Sequence, residues 1–290
     1  MENKEAVMLR LTNVRKNYGT FTLECSLEVR PGMITALIGS NGAGKSTTFQ
    51  AALDLIPIDA GEITVFGKSH TALTPADKEK IGVVLSDSGF SEYLTVQDIA
   101  AILNAMYTRF SKGDFVERCR RFGLPNNKKI KEFSTGMKAK LKMIAAMSHG
   151  AKLLILDEPT AGLDVVAREE LLTLLQDYLE ERGDASVLIS SHISGDLEKF
   201  CDDIYMIHAG KIILHEETDV LLGSYGVIKA DARQYECLDK SHLLYRKTES
   251  FGSCLLTDDR QFYQENNSGL VVEKGNIDDV IILMTKGERV

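Results

Sequence analysis

Apolar and polar positions alternate along the first part of the chain in short runs. Residues 8–14 and 21–29 read as a β-rich opening, and a Pro-Gly turn follows at 31–32. The next run, residues 33–38, is mostly apolar and predicts a buried parallel strand, whereas residues 46–55 have helical spacing. The pattern therefore predicts a β-rich opening that leads into a buried strand, a loop and a helix.

The middle of the chain is helical, and strands and helices alternate after it. Thr95 and Asp98 form a capping box that predicts a helix running to about residue 110, Pro125 marks a break, and residues 137–148 are helical again. The alternation that follows predicts an α/β fold with a parallel sheet. Its predicted elements are a strand at 153–157, a helix at 166–181, a strand at 186–190, a short helix at 195–200 and a strand at 204–210.

The last part of the chain has a weaker pattern. Residues 219–290 contain short alternating runs and an apolar segment at 277–284, which suggest a small α/β appendage. We therefore expect a main domain over residues 1–218, with a helical subdomain at about 87–150, and a small accessory domain over 219–290. Two roles stay open for that appendage, bracing a dimer or binding a regulator.

Composition narrows the class of protein. The chain has 290 residues, 44% of them hydrophobic and 26% charged, which suits a soluble protein with a sizeable core. Five cysteines without a C-x-x-C pair favour reduced core thiols and a cytosolic address. The charged start lacks the apolar stretch of a signal peptide, and no window resembles a membrane span. A net charge of −8 argues against a nucleic-acid partner, although local basic patches stay open.

The loop after the buried strand carries the first candidate chemistry. Its sequence GSNGAGKS fits the phosphate-binding pattern G-x-x-x-x-G-K-[ST], between a strand and a helix as that motif requires. Backbone N–H groups and the helix dipole would converge on phosphate oxygens, Lys45 would neutralise the outer phosphates, and Ser46 would hold Mg²⁺. The alternative is a glycine-rich turn that only starts a helix. The predicted nucleotide-binding residues are Gly39, Ser40, Asn41, Gly42, Ala43, Gly44, Lys45, Ser46 and Thr47.

Two acidic residues follow a second apolar strand. The run LLIL delivers Asp157 and Glu158 to its carboxyl end, where ligands bind in open α/β sheets. Asp157 is placed to bind Mg²⁺, as in other phosphate-loop enzymes. Glu158 would orient and deprotonate an attacking water, and a general base of this kind contributes about 10² to 10⁴ in rate. The alternative is that both acids are a solvated strand end.

Five motifs occur in the order found in nucleotide-binding subunits of ABC transporters, and the chain resembles that family over about residues 8–215. The resemblance implies an α/β P-loop NTPase of ABC ATPase type, with an antiparallel β subdomain, a helical subdomain and a small C-terminal α/β appendage. The motifs are the phosphate loop to Thr47, FSTGM at Phe133–Met137, LLILDEP, AGLD at Ala161–Asp164, and ISSHI around His192.

The stretch FSTGM resembles the family signature, usually written LSGGQ. In that family the signature of one subunit closes over the ATP held by the phosphate loop of another. Ser134 can cap the helix that follows, and free N–H groups beside Gly136 would make a second anion site. The resemblance therefore implies a homodimer or heterodimer with ATP between the subunits. It assigns nucleotide contacts to Ser134, Thr135, Gly136, Met137 and, across the dimer, Asp164.

Three further positions follow from the resemblance. His192 would reach the γ-phosphate as a catalytic residue, and Tyr18 would stack on adenine; a structural histidine and core packing are the alternatives. At Ser86 the sequence departs from the family, which usually has a metal-binding glutamine there that senses the membrane partner. Ser86 would reach Mg²⁺ only through water, or Asp87 compensates or is itself the ligand.

The resemblance implies an ATPase, with ATP and Mg²⁺, that drives export through a separate membrane permease at the cytoplasmic face of the cell membrane. The S-T-G-M form of the signature is similar to that of bacterial peptide and antibiotic exporters, including phenol-soluble-modulin-type peptide transporters. We therefore expect amphipathic or antimicrobial peptides as cargo, with lipids, polysaccharides and sodium left open. The alternative is a soluble ATP-gated switch, a class that usually carries two such domains or a long coiled coil.

Overall fold

The computed structural model of the protein contains the predicted strand, loop and helix around the phosphate loop and the predicted alternation over residues 153–208, and it adds strands at 60–65, 68–69 and 211–217 that were not predicted. It describes residues 7–191, 194–250, 252–267 and 269–290, without the side chains of residues 194 and 196. The strands are β1 (Leu9–Asn17), β2 (Thr22–Val29), β3 (Ile34–Ile38), β4 (Ala60–Val65), β5 (Lys68–Ser69), β6 (Ile81–Val84), β7 (Leu153–Leu156), β8 (Ser186–Ser191), β9 (Asp203–His208), β10 (Lys211–Glu217), β11 (Gly226–Ala230), β12 (Leu243–Glu249), β13 (Gly252–Thr257), β14 (Val271–Lys274) and β15 (Glu288–Arg289). The helices are α1 (Lys45–Ala52), α2 (Pro75–Lys78), α3 (Val96–Met106), α4 (Lys112–Arg121), α5 (Thr135–Met147), α6 (Val165–Arg182), α7 (Ser194–Leu197), α8 (Thr218–Ser224), α9 (Ala232–Cys237), α10 (Arg260–Asn266) and α11 (Ile277–Lys286).

Ten strands form one continuous sheet in the order β5-β4-β1-β2-β10-β9-β3-β8-β7-β6. Strands β9, β3, β8, β7 and β6 pair in parallel, which confirms the predicted α/β core, whereas β4, β1 and β2 pair antiparallel. Strand β10 joins the two parts, because it pairs antiparallel with β9 and meets β2 at Lys211 and Glu24. The β-rich opening is therefore an extension of the same sheet.

The strands of the parallel part are buried on both faces, which explains their continuous apolar runs. In β7, Leu154 and Leu156 face the core under helices α3 to α6, while Leu153 and Ile155 face the core shared with α1 and the antiparallel strands. Successive side chains of a strand point to opposite faces, so one short strand contributes to both cores. The carboxyl ends of these strands consequently meet at one protected edge.

The helical subdomain begins at the predicted capping box. The Thr95 hydroxyl accepts a hydrogen bond from the Asp98 N–H at 3.2 Å, and an Asp98 carboxylate oxygen accepts from the Thr95 N–H at 2.8 Å. The prediction that this helix runs to about residue 110 is wrong, because α3 ends at Met106. Tyr107 there turns to an extended conformation, and its ring stacks on His149 at 4.1 Å between centroids.

The C-terminal residues form a second sheet in the order β14-β11-β13-β12-β15. The chain order β11-α9-β12-β13-α10-β14 is the split β-α-β arrangement. One face packs around Ile228, Leu255 and Tyr263 under its own helices. On the other face lie Leu256 of β13 and Val280 of α11. Both belong to the same apolar core as the large sheet and its helices. The appendage is therefore packed onto the rest of the chain.

The cysteines only partly follow the expectation of core thiols. Cys25, Cys119 and Cys201 are buried, whereas Cys237 is exposed and Cys254 is half-buried. Burial raises the pKa of Cys25 to about 11 and that of Cys119 to about 12, which makes these thiols unreactive at neutral pH. The expectation is therefore wrong for Cys237, which is exposed as the last residue of α9.

Helix length bears on membrane insertion. The 18-residue α6 carries acidic and basic side chains along its length. Among the residues that the structure describes, no helix is both long enough and apolar enough to cross a membrane.

Candidate functional site

The predicted phosphate loop connects β3 to α1, and its glycines are required by close packing. A Cβ at Gly39 would collide with the carbonyl oxygen of Ile207 in the neighbouring strand β9. Gly44 has a φ of 117°, in the region that favours glycine, and precedes the first residue of α1. Because Gly44 has no side chain to cap the helix, the first N–H groups of α1 face outward for an anion.

Lys45 lies inside this loop with only 5% of its surface exposed. Its Nζ donates to the carbonyl oxygens of Gly39 at 2.7 Å and Ser40 at 3.3 Å. The same ammonium lies 3.1 Å from Oε1 of Glu158. The phosphate-loop lysine and the predicted general base therefore border one site.

A cleft of about 360 Å³ opens between the loop and the end of β7. It brings together most of the residues predicted from the phosphate loop with Glu158 and Ser86. It also includes Phe21, which the sequence analysis missed, since nothing in a lone aromatic at a strand start indicates a nucleotide site. The lining residues are Phe21, Asn41, Gly42, Gly44, Lys45, Ser46, Thr47, Ser86 and Glu158.

Asp157 and Glu158 are held by serine hydroxyls. Asp157 is 2% exposed, and its two carboxylate oxygens accept hydrogen bonds from Ser190 Oγ at 2.7 Å and Ser86 Oγ at 3.2 Å. Glu158 has a φ of 50°, a left-handed conformation that costs a non-glycine residue about 1–3 kcal/mol and clusters at functional sites. Its N–H donates to Ser190 Oγ at 2.8 Å. The sequence analysis missed Ser190, although a serine in an apolar strand is a signal.

The oxygen donors at this edge fit Mg²⁺. Mg²⁺ usually binds one or two carboxylates plus substrate phosphates, and it keeps several waters. Asp157 supplies one carboxylate, and the hydroxyls of Ser46 and Ser86 are further oxygen donors. Within the described part of the chain, no three His, Cys, Asp or Glu residues form a metal cluster. A bound Mg²⁺ would neutralise charge on the phosphates.

Ser86 and Asp87, the two candidates to replace the family's metal-binding glutamine, lie in different surroundings. Ser86 contacts Asp157 and lines the cleft, whereas Asp87 is exposed and absent from its lining. Asp87 instead lies near Lys142: burial lowers the pKa of Lys142, and the Asp87 charge opposes that shift. The metal role of Ser86 stays a prediction, and its position agrees with it.

The signature forms a separate cleft. Ser134 caps α5, because its hydroxyl accepts from the Met137 N–H at 3.2 Å. A Cβ at Gly136 would lie 3.0 Å from the Cβ of Ala167, so glycine permits the close approach of α5 to α6. Asp164 caps α6 through the Ala167 N–H at 2.9 Å. The cleft of about 570 Å³ lined by Ser134, Gly136, Met137 and Asp164 shares no residue with the phosphate-loop cleft.

Two further residues, Tyr18 and His192, were predicted to contact the nucleotide. Tyr18 is 51% exposed, so core packing, the alternative, does not describe its ring. Its main-chain N–H donates at 2.8 Å to the carbonyl of Phe21, which lines the cleft, and stacking on adenine stays a prediction. The Lys16 ammonium lies 5.7 Å from the Tyr18 ring centroid. His192 lies outside the described residues, directly after the end of β8 at Ser191.

A third cleft, of about 300 Å³, lies between β6, α3 and α5 and was not predicted from the sequence. Its rim is apolar, with Ile102 and Met106 exposed on one face of α3. At its base the ring of His149 stacks on Tyr107, and burial lowers the pKa of His149, which favours the neutral imidazole. The loop after Ser86 forms one wall, so this apolar cleft adjoins the phosphate-loop site.

Comparisons with known proteins agree with this geometry. The family described as ABC transporter matches residues 23–161. The lantibiotic transport ATP-binding protein SrtF of Streptococcus pyogenes is 34% identical over 216 residues, which are 73% of this chain and 92% of that protein. The chain belongs to the ATP-binding subunits of ABC transporters.

Other relatives of this ABC subunit point the same way. The bacitracin transport ATP-binding protein BcrA of Bacillus licheniformis is 32% identical over 213 residues, covering 72% of this chain and 69% of that protein. A solved ATP-binding subunit of an ABC transporter superposes with a TM-score of 0.66 at 27% identity, covering 74% of this chain and 91% of its own. The predicted fold, the ATP-binding family and the ATPase class are therefore confirmed.

The cleft generates a prediction for Lys45 and Glu158. Lys45→Ala should lose much of the affinity for ATP, because no other ammonium borders the cleft among the described residues. Glu158→Gln should bind ATP and hydrolyse it about 10² to 10⁴ times more slowly. Fluorescent-nucleotide titration and phosphate release measure the two effects. Lys152→Ala, a half-buried lysine that pairs with Asp184 and does not line the cleft, is the control. Equal ATP affinity in the wild type and Lys45→Ala would contradict the assignment.

A second prediction concerns the departure at Ser86. Glutamine at this position extends the side chain by roughly two bonds toward the oxygens that would hold Mg²⁺, so Ser86→Gln should lower the Mg²⁺ concentration for half-maximal ATPase activity and raise basal turnover. Asp87→Ala should leave that concentration unchanged, because Asp87 does not line the cleft and lies near Lys142. A Mg²⁺ titration of both variants decides between them. A higher Mg²⁺ concentration for half-maximal activity in Asp87→Ala would assign the ligand to Asp87 instead.

Proposed function

We propose that this ATPase powers export of amphipathic or antimicrobial peptides, or related small molecules, through a separate membrane permease. The observation that carries the proposal is the apolar cleft beside α3. The loop that forms one wall of this cleft begins near Ser86, whose hydroxyl donates a hydrogen bond to Asp157 in the ATP site. A surface of this kind couples ATP chemistry to another protein. The names of SrtF and BcrA, which refer to lantibiotic and bacitracin transport, support the class of cargo.

We infer that two ATP-binding subunits act together, as a homodimer or a heterodimer. The phosphate-loop cleft and the signature cleft share no lining residue, so they are two separate candidate anion sites on one chain. Both clefts contain a helix start that offers N–H groups to an anion. A head-to-tail pair would place ATP between Lys45 of one copy and Ser134 of the other. Asp164 borders the second cleft and would contact the partner.

Within that pair, each chain hydrolyses ATP with its own acidic residues. Glu158 orients and deprotonates the attacking water, and Lys45 neutralises the outer phosphates. Asp157, Ser46 and Ser86 would hold Mg²⁺, and the bound ion would supply charge stabilisation to the phosphoryl group. His192 adds a γ-phosphate contact, and the exposed ring of Tyr18 stacks on adenine.

The permease contacts the subunit at the apolar cleft. Exposed apolar residues surrounded by polar surface mark protein contacts, and Met106 is 64% exposed at the rim of this cleft. A membrane permease as partner would place the chain at the cytoplasmic face of the cell membrane. The sheet of residues 226–289 supports the division into an ATPase domain over 1–218 and an accessory domain over 219–290.

ATP should drive the pairing of two subunits. Glu158→Gln protein should shift to a dimer on addition of ATP and remain a monomer with ADP, because only the γ-phosphate spans the gap to the signature. Light scattering measures the mass of the particle. The double variant Glu158→Gln with Ser134→Ala is the control, since it loses the cap of the α5 helix. A nucleotide-independent monomer with the permease present would count against the dimer.

Cargo and permease should stimulate ATP hydrolysis together. The purified complex of this chain and its membrane subunit should hydrolyse ATP faster when amphipathic or antimicrobial peptides are added. Met106→Glu should remove that stimulation and keep basal hydrolysis, because it places a charge in the apolar cleft. Val271→Glu, at an apolar position on β14 that is 54% exposed, is the control. If only lipids or sugars stimulated hydrolysis, the proposed class of cargo would be wrong. If no compound stimulated hydrolysis by the assembled complex, the alternative function as a soluble ATP-gated switch would be favoured.

A further inference from the structure

We propose that Ser190 is a positioning residue for ATP hydrolysis, whose single hydroxyl fixes the Asp157 carboxylate and the Glu158 main chain together. The proposal rests on the roles inferred above for these two acids. Ser190 is fully buried in β8, one residue before that strand ends at Ser191. It does not line the nucleotide cleft, so it acts through its neighbours.

The hydroxyl of Ser190 uses its donor and an acceptor position at once. It donates to Oδ1 of Asp157 at 2.7 Å and accepts from the Glu158 N–H at 2.8 Å. Both distances are in the range of well-formed hydrogen bonds, and the bond to a carboxylate is the stronger kind. One small side chain therefore sets the orientation of a metal-binding group and the position of a general base.

Strand pairing explains why a side chain is needed here. Strands β7 and β8 pair in parallel up to Leu156 and Ile189, and the regular register ends there. The next two positions would be Asp157 and Ser190. Because Glu158 turns into a left-handed conformation, the main chain leaves the ladder. The Ser190 side chain replaces the lost main-chain pairing and holds the turn that delivers Glu158 to the cleft.

Removing the hydroxyl takes a hydrogen-bond partner from two groups at one point. Ser190→Ala removes the donor from a buried carboxylate oxygen and the acceptor from the Glu158 N–H. An unpaired buried polar group is costly, and the turn can relax so that the Glu158 carboxylate moves. Since the phosphate loop is untouched, ATP should still bind. The effect therefore falls on turnover and on the response to Mg²⁺.

Strand β8 contains a matched control at its opposite end. Ser186 is also fully buried, and its Oγ accepts the Gly32 N–H at 2.8 Å. Ser186→Ala removes a hydroxyl of equal size and burial from the same strand, and Ser186 lies at the start of the strand, away from Asp157. A general loss of strand stability would affect both variants alike.

The test compares the full-length wild type, Ser190→Ala, Ser190→Thr and Ser186→Ala. Ser190→Ala should lower kcat by roughly 10- to 100-fold, with the KM for ATP close to that of the wild type. Ser190→Thr keeps the hydroxyl on a residue suited to strands and should recover most of the lost kcat. Ser186→Ala should keep the kcat of the wild type.

A second readout does not depend on turnover. The melting temperature with ATP should rise as Mg²⁺ is added, and Ser190→Ala should need more Mg²⁺ for half of that rise, because Asp157 has lost a fixing bond. In EDTA, fluorescent ATP should bind Ser190→Ala and the wild type alike. If Ser190→Ala folds poorly, Ser190→Cys, with a similar volume and a weak donor, replaces it in every comparison.

The outcomes separate this proposal from the one on which it rests. A kcat of Ser190→Ala within about twofold of the wild type, or an equal loss in Ser186→Ala, would overturn the role of Ser190. If Glu158→Gln, measured alongside, hydrolysed ATP normally, the assignment of the general base itself would fail. An inactive Glu158→Gln with a fully active Ser190→Ala would refute only the positioning role.

Discussion

A carboxylate buried at the end of an apolar strand is the constraint around which the site is built. Burying a charge without partners is costly, so Asp157 requires hydrogen-bond donors, and Ser190 and Ser86 supply one to each of its oxygens. These donors come from β8 and from the loop after β6, the two strands on either side of β7. The parallel sheet thus brings together side chains that are about 30 to 100 residues apart in the chain.

This constraint also connects surfaces that do not touch one another. Ser86 belongs to the loop that walls the apolar cleft, and it bonds to Asp157 beside the phosphate loop. Lys45 lies against Glu158 in the same cleft. A partner that shifts the loop after β6 would therefore change the bonding of Asp157 directly. In this chain a serine takes the place where the family usually has a glutamine, so that link is a single hydrogen bond of 3.2 Å.

Features that depend on neighbouring residues were predictable from the sequence. The phosphate loop, the capping box at Thr95 and the cap at Ser134 are set by residues within about four positions, and the structure has each of them. Features set by distant contacts were not predictable. Strand β10 follows a tight turn in which Gly210 packs against the Thr22 carbonyl. The role of Ser190 depends on its hydrogen bond to Asp157, which is 33 residues away in the chain.

The C-terminal sheet is a further consequence of long-range packing. Val280 and Leu283 of α11 are buried in the core that the large sheet shares with its helices, and a fully buried aliphatic side chain contributes about 1.5–3 kcal/mol. The N–H of Ile277 donates at 2.9 Å to Glu198, just after α7. Because α7 begins three residues after Ser191, the accessory sheet is anchored close to the end of β8, the strand that positions Asp157 and Glu158.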